Sequence, residues 1–150
     1  MSEQESLPGG LQEIAEDFAA TPAAQRLELL LEFSDELPEL PQRLQDDPDL
    51  LEPVPECQSP IFVLVEVEPG AEAGGGTVHL FFSAPPEAPT TRGFAGILSE
   101  GLDGHSVAEV LRVPADMPLR LSITDLVSPL RLNGMSGMLA RIQRQVREKA

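Results

Sequence analysis

One cysteine, Cys57, stands among 150 residues, and that scarcity excludes a good deal. The chain can close no intramolecular disulfide and can build no metal cage from thiols alone. An iron–sulfur cluster needs about four ligands, so this chain could not scaffold one with its own thiols. Histidine is almost as rare. His79 and His105 make no metal-spaced pair. His79 falls in an apparent strand, His105 follows a glycine turn, and both read as structural. Long apolar runs are missing as well: none reaches the roughly 18 residues of a membrane span. The first five residues, Met1-Ser2-Glu3-Gln4-Glu5, are acidic and polar rather than a secretory signal. These absences together read as a soluble, cytoplasmic protein.

Positive charge is also short. Ten basic residues face twenty-five acidic ones, for a net charge of −15. Binding to nucleic acid or to an anionic membrane needs the opposite sign, so neither is expected as a partner. The charge is uneven: residues 1–57 carry fifteen acids and two bases, whereas residues 131–150 carry five bases and one acid. Such an excess serves solubility in general, or suits a salt-rich cytoplasm in particular.

What is present is a globular composition. Apolar residues make up 41 % and charged residues 23 %, and the length suits a single domain, residues 1–150, with its own core. Leu7, Leu11, Ile14 and Phe18 fall on one face of a first helix. Thr21-Pro22 has the form of an N-cap followed by a first-turn proline. It predicts a second helix to about Glu36, with Leu27, Leu30, Leu31 and Ser34 along one side and Leu31 at the core centre. Six prolines between residues 38 and 60 leave room for little more than a short turn at Arg43–Gln45. Ile61 to Val67 and Thr77 to Phe82 are β-branched and apolar, and predict an antiparallel hairpin joined by a long glycine-rich connection. That connection is no phosphate loop, since it lacks Lys-Ser/Thr and precedes a strand.

A helix is then expected from Arg92 to about Gly101 or Gly104, another after Ser106, and a weaker one over Leu119–Leu126. Ser128-Pro129 opens a last amphipathic helix through Met135, Met138, Leu139, Ile142 and Val146. No repeat of 20–50 residues is visible. The order gives an α+β fold: a small antiparallel sheet with the N-terminal and C-terminal helices packed on one face.

Cys57 ends a stiff segment, Pro53-Val54-Pro55-Glu56-Cys57-Gln58-Ser59-Pro60, which leads into the first predicted strand. The residues alone leave packing and chemistry both open for it. A hydrolase would need a base beside the thiol, and no local motif supplies one. A peroxide sensor needs a stabilised thiolate, which Glu56 and the acidic chain oppose. Sulfur transfer suits a thiol that is poor by itself and usable when a partner brings the field and the electrophile, because a persulfide passes by thiolate attack on sulfur.

Pro55-Glu56-Cys57-Gln58-Ser59 before an apolar strand resembles the G-C-Q-S segment of the SufE family of cysteine desulfuration proteins. Arg92-Gly93-Phe94-Ala95-Gly96-Ile97-Leu98 is similar to that family's basic-Gly-Leu helix start. Ser128-Pro129-Leu130-Arg131-Leu132-Asn133-Gly134-Met135, with Met138 and Ile142, resembles its S-P-x-R stretch, and Leu37-Pro38-Glu39-Leu40-Pro41 its L-P-x-L pattern. The blocks keep their order from about Leu7 to Val146. The resemblance implies the compact fold shared with IscU-type scaffolds. It also implies a sulfur-acceptor role for Cys57, with a cysteine desulfurase as donor and activated partner and an iron–sulfur scaffold complex as receiver.

By the same resemblance, Gln58, Arg92 and Arg131 are positions of contact with the partner or the persulfide, and Glu87 takes the place of the acid that follows the second strand. No cofactor is implied beyond the transient persulfide, pyridoxal phosphate belonging to the desulfurase. The chain departs from the family in carrying Glu56 where Gly is common. An independent cysteine enzyme, such as a thiol hydrolase or peroxidase, is the alternative; a binding module indifferent to its thiol is the third reading.

Overall fold

The computed structural model describes residues 7–58, 60–70 and 75–150. Residues 1–6, Ser59 and residues 71–74 of the glycine-rich connection lie outside them. Six α-helices and three strands are described: α1 Leu11–Ala20, α2 Arg26–Glu36, α3 Gln42–Gln45, β1 Glu52–Pro53, β2 Phe62–Glu68, β3 Thr77–Ser83, α4 Pro89–Leu102, α5 Val107–Leu111 and α6 Pro129–Lys149. The mixed architecture agrees with the α+β expectation, and so does the antiparallel hairpin of β2 and β3.

Alternation along the hairpin sorts its two faces. Val63, Val65, Val78, Leu80 and Phe82 point into the main core, where they meet Phe94, Ile97 and Leu98 of α4 and Met135, Met138 and Ile142 of α6. Phe62, Leu64 and Phe81 point the other way. There the proline-rich segment covers them with Leu40, Leu44 and Leu51 in a small second cluster. The segment thus packs one side of the sheet and then delivers the chain to Cys57.

β1 adds a strand that the sequence pattern does not predict. Its two residues pair with Val63 and Phe62 at the edge of β2, a position where proline is tolerated because no ladder bond is lost. Beyond β1, side chains of α6 complete the same edge. Gln145 is buried, accepts from the Val65 amide at 2.8 Å and donates to the Val63 carbonyl at 3.4 Å; Lys149 donates to the Val65 carbonyl at 2.5 Å. These bonds fix the register of the long last helix against the sheet.

Three local expectations are corrected. Thr21 does not cap α2; it closes α1 instead, its hydroxyl donating to the Asp17 carbonyl at 2.6 Å. Pro22 is extended, and a 3-10 turn, Ala23–Gln25, intervenes before α2. The buried side of α2 is Leu30, Phe33 and Ser34, while Leu31 is only half-buried and Leu27 is exposed. The reason lies in α4: a Cβ on Gly93 would sit 2.8 Å from the Leu30 carbonyl oxygen, and one on Gly96 would sit 2.2 Å from that of Phe33. The two glycines let the helices touch backbone to backbone along that line. Over Leu119–Leu126 no α-helix forms. A 3-10 turn, Met117–Arg120, is followed by Ser122 in the left-handed region at φ 62°, and Leu121 and Ile123 fill the core from irregular chain.

Other boundaries hold closely. Ser106 forms a full capping box with Glu109, and Ser128 accepts from the Arg131 amide at the start of α6. α4 begins at Pro89, slightly before Arg92, with the proline in the first turn. Among the described residues no helix is long and apolar enough to cross a membrane.

Candidate functional site

Cys57 closes a 3-10 turn, Pro55–Cys57, that proline starts and Gln58 ends. Gln58 adopts a left-handed conformation at φ 56° and ψ 16°, which costs a non-glycine residue of order 1–3 kcal/mol and turns the chain toward β2. The turn lies on α6. A Cβ at Gly134 would meet Cys57 Sγ at 3.1 Å, and one at Gly137 would meet the Glu56 carboxyl carbon at 2.9 Å. Two glycines one turn apart therefore make the groove that the turn occupies. The thiol donates to the Gly134 carbonyl at 3.5 Å, a length ordinary for sulfur, and packs against the main core.

Cys57 is half-buried and opens on a cleft of about 350 Å³ lined by Glu56, Cys57, Gln58, Ser128, Leu130 and Arg131. Leu130 is 56 % exposed, unusual for leucine. The exposed Arg131 side chain has no hydrogen bond or ion pair among the described residues. Its backbone amide is used in the cap, so the helix start is anchored while the guanidinium stays available.

A polar lattice supports the turn from behind. Arg141 Nη1 lies 2.9 Å from Glu56 Oε1 and donates to Oε2 at 3.0 Å; its Nε is 3.4 Å from a Glu52 oxygen. Arg144 and Gln145 also donate to Glu52, and Arg144 pairs with Glu148. Burial pushes the Cys57 thiol up to about 11, Glu56 adds to this, and Arg141 opposes it. Glu56 is held below the usual carboxylate range by a backbone hydrogen bond and by Arg141. At neutral pH the site holds a protonated thiol.

The structure brings Cys57, Gln58 and Arg131 together at this cleft, and leaves two other candidates outside its lining. Arg92 is half-buried and donates to the carbonyls of Ser34 at 2.9 Å and Ala84 at 2.7 Å, tying the start of α4 to the end of α2. Glu87 is exposed in the loop before α4. The histidines also lie outside the cleft lining: His79 Nε2 is 3.0 Å from Glu68, and His105 Nδ1 is 3.4 Å from Glu109. Among the described residues no group of three or more His, Cys, Asp or Glu side chains could hold a metal ion.

Sequence reasoning missed Glu52, Arg141 and the two glycines. Gly134 and Gly137 were the available signal, since paired small residues on one face of an amphipathic helix mark a close backbone approach. The ion pair joins residues far apart in the chain and left no local trace.

With this geometry in view, the comparisons decide the family. The SufE family model, described as an Fe-S metabolism associated domain, matches residues 12–146. The chain belongs to the SufE family. It is 51 % identical over 148 residues to an uncharacterized SufE-like protein of Mycobacterium tuberculosis (strain H37Rv), covering 99 % of each chain. It is also 33 % identical over 67 residues to SufE-like protein 1, chloroplastic/mitochondrial, of Arabidopsis thaliana, a match covering 45 % of this chain and 18 % of that one. The solution structure of a hypothetical protein from Thermus thermophilus superposes with a TM-score of 0.78 at 38 % identity, covering 95 % of this chain and 97 % of that one. The SufE domain, and with it the association with iron–sulfur metabolism, spans the turn that carries Cys57, the cleft and most of α6.

Proposed function

We propose that this SufE-family chain is a sulfur acceptor that takes persulfide sulfur from a cysteine desulfurase onto Cys57, stimulates that desulfurase, and passes the sulfur to an iron–sulfur scaffold. The observation that carries the reading is the setting of the chain's one thiol: half-buried, pushed by burial toward its protonated form, and set in a cleft flanked by an exposed leucine and by an arginine with no ion pair among the described residues. Such a thiol is protected from adventitious oxidation, which follows thiolate character and exposure. It gains reactivity when another protein covers the cleft and brings the electrophile.

In the transfer, Cys57 loses its proton and its Sγ attacks the outer sulfur of the donor persulfide. A new S–S bond forms on Cys57, the donor S–S bond breaks, and the donor cysteine leaves as thiolate and is reprotonated. No net oxidation occurs. In this reading Arg131, in the cleft lining, meets the anionic charge that moves through the cleft, and Leu130 offers apolar contact to the partner. The cytoplasm suits this work, because its reducing poise keeps a lone thiol free.

Intact mass after incubation with a cysteine desulfurase and free cysteine tests the proposal. The wild-type chain gains one sulfur atom and Cys57→Ser gains none. An unchanged wild-type mass with an active cognate desulfurase removes the reading. The stand-alone cysteine enzyme has less support, since neither histidine lines the cleft as a general base.

A further inference from the structure

The lattice behind Cys57 does something that anchoring alone would not require. It places two opposite charges beside the thiol and makes each restrain the other. Glu56 is the next residue in the chain, and its carboxylate opposes ionisation of Cys57. Arg141 reaches Glu56 from α6 and favours ionisation. The Arg141 side chain is only 21 % exposed, and its guanidinium is shared between Glu56 and Glu52 and donates to the Gly137 carbonyl at 3.3 Å. Four charged groups stand around the site: Glu56 on the turn itself, Arg131 and Arg141 from α6, and Glu52 from β1 through Arg141. Arg131 projects into solvent, where its field is screened. Of the pair, Arg141 is the more sheltered; the Glu56 side chain is 35 % exposed.

We propose that Glu56 and Arg141 form an electrostatic governor of Cys57, with Glu56 as a brake on thiolate formation and Arg141 as the positioning residue that offsets it. The inference deepens the sulfur-acceptor reading and rests on it for its purpose. While the pair is intact Arg141 offsets part of the Glu56 field, and burial keeps the thiol protonated. A basic group of the donor protein that engages Glu56 would relieve the brake and leave Arg141 paired with Glu52 alone, and the thiolate would form only in the docked complex. The device needs no movement of the turn.

The test uses the isolated full chain and the pH profile of iodoacetamide alkylation at Cys57, compared for wild type, Glu56→Gln, Arg141→Gln, Arg141→Lys and the Glu56→Gln/Arg141→Gln pair. Below the titration midpoint the rate follows the thiolate fraction. At about pH 8, Glu56→Gln should react roughly threefold or more faster and Arg141→Gln roughly threefold or more slower, as expected for one charge gained or lost near a partly desolvated thiol. The double variant should fall between them, and Arg141→Lys should stay near wild type.

A merely structural clasp predicts otherwise: either single change would loosen the turn, and both would speed alkylation. Arg141→Gln reacting faster than wild type therefore overturns the proposal. If Arg141→Gln does not fold, Glu56→Gln decides with hydrogen–deuterium exchange of the Cys57 amide, which is bonded to the Val54 carbonyl, read beside it: faster alkylation at unchanged exchange supports the proposal, and an unchanged or slower rate, or faster exchange of that amide, overturns it. Sulfur loading is a separate measurement. Its failure with the alkylation order intact removes the acceptor reading and leaves the governor standing as a property of the thiol.

Discussion

The sulfur of Cys57 lies against Gly134: its Sγ is 3.5 Å from the Gly134 carbonyl, and a methyl group on that glycine would come within 3.1 Å of it. Gly134→Ala must therefore shift the turn by a few tenths of an ångström against α6, because the same methyl would also meet Cys57 Cα at 3.2 Å, and backbone cannot swing aside as a side chain can. The expected outcome is a loss of about 1–3 kcal/mol in a denaturant titration, the usual cost of overpacking, together with faster alkylation of Cys57. An alanine variant that matches wild type in both would mean that the groove is looser than its geometry.

The pH response of the thiol follows from its burial. Folding raises Cys57 from an ordinary 9.0 to about 11, so at neutral pH its thiolate fraction should be roughly 100-fold lower than in the unfolded chain. Alkylation in buffer and in urea across pH 7 to 11 measures the two midpoints directly. The sign for stability also follows. Favouring the neutral thiol, the fold keeps this contribution in full below 9.0 and loses it as pH rises through about 11. Superimposed midpoints in the two media would contradict the buried setting.

Arg131→Ala should reduce desulfurase stimulation well beyond any change in stability. The side chain is exposed and has no partner among the described residues, and surface changes of that kind usually stay within about 0.5 kcal/mol. Steady-state kinetics of a cognate desulfurase, set beside a melting curve, separates the two effects. Stimulation unchanged beyond about twofold, well under the tenfold that 1.4 kcal/mol represents, would leave Arg131 an ordinary surface arginine.

Gln145→Leu removes the amide that completes the edge of β2 and strands the Val65 N–H, a backbone group on a buried residue. An unsatisfied group of that kind costs about 1–3 kcal/mol, and the Val63 carbonyl loses a longer bond as well. We expect a destabilisation of at least about 2 kcal/mol by urea unfolding, with β2 amides exchanging faster by hydrogen–deuterium measurement. A loss confined to a few tenths would show that water replaces the amide.

Much of this was legible in the sequence where a local pattern decides the structure. Leu11, Ile14 and Phe18 repeat at helical spacing and are buried, and Ser106 and Ser128 mark helix starts because capping is settled within one turn. Legibility failed where a distant element decides. Leu27 and Leu31 are as apolar as Leu30, and the glycines of α4 select which of them is buried. Thr21-Pro22 carries a start signal that the end of α1 claims first. At the site, Cys57, Gln58 and Arg131 were found through family resemblance, whereas Arg141 was not, since its role exists only once α6 lies across Pro55–Cys57.

Charge repulsion on the helical face should make the protein more stable in salt. Glu13, Asp17 and Glu36 surround Glu100 closely enough to raise its proton affinity, although burial is the larger cause. The ion pairs of Arg141 and Arg144 go to Glu52, Glu56 and Glu148 and leave those acids unrelieved. Raising sodium chloride from about 0.1 M to about 1 M shortens the screening length from about 10 Å to about 3 Å. The melting temperature should rise over that range; a fall would show that screened attraction outweighs screened repulsion.

The side-chain completion of the sheet reaches beyond stability. Exposed strand edges invite pairing with strands of other molecules, the usual first step of aggregation. On β2 that invitation is withdrawn by Gln145 and Lys149, whose side chains occupy the bonds a foreign strand would need. On β3 the Val78 amide is taken by the His105 carbonyl and the Leu80 amide by the Asp103 carboxylate. Association by strand exchange is thereby blocked at these positions on both sides, and encounters with other proteins are left to helix ends and clefts. Contacts of that sort form and dissolve without committing backbone, which is the kinetic requirement of the sulfur-acceptor role proposed for this chain.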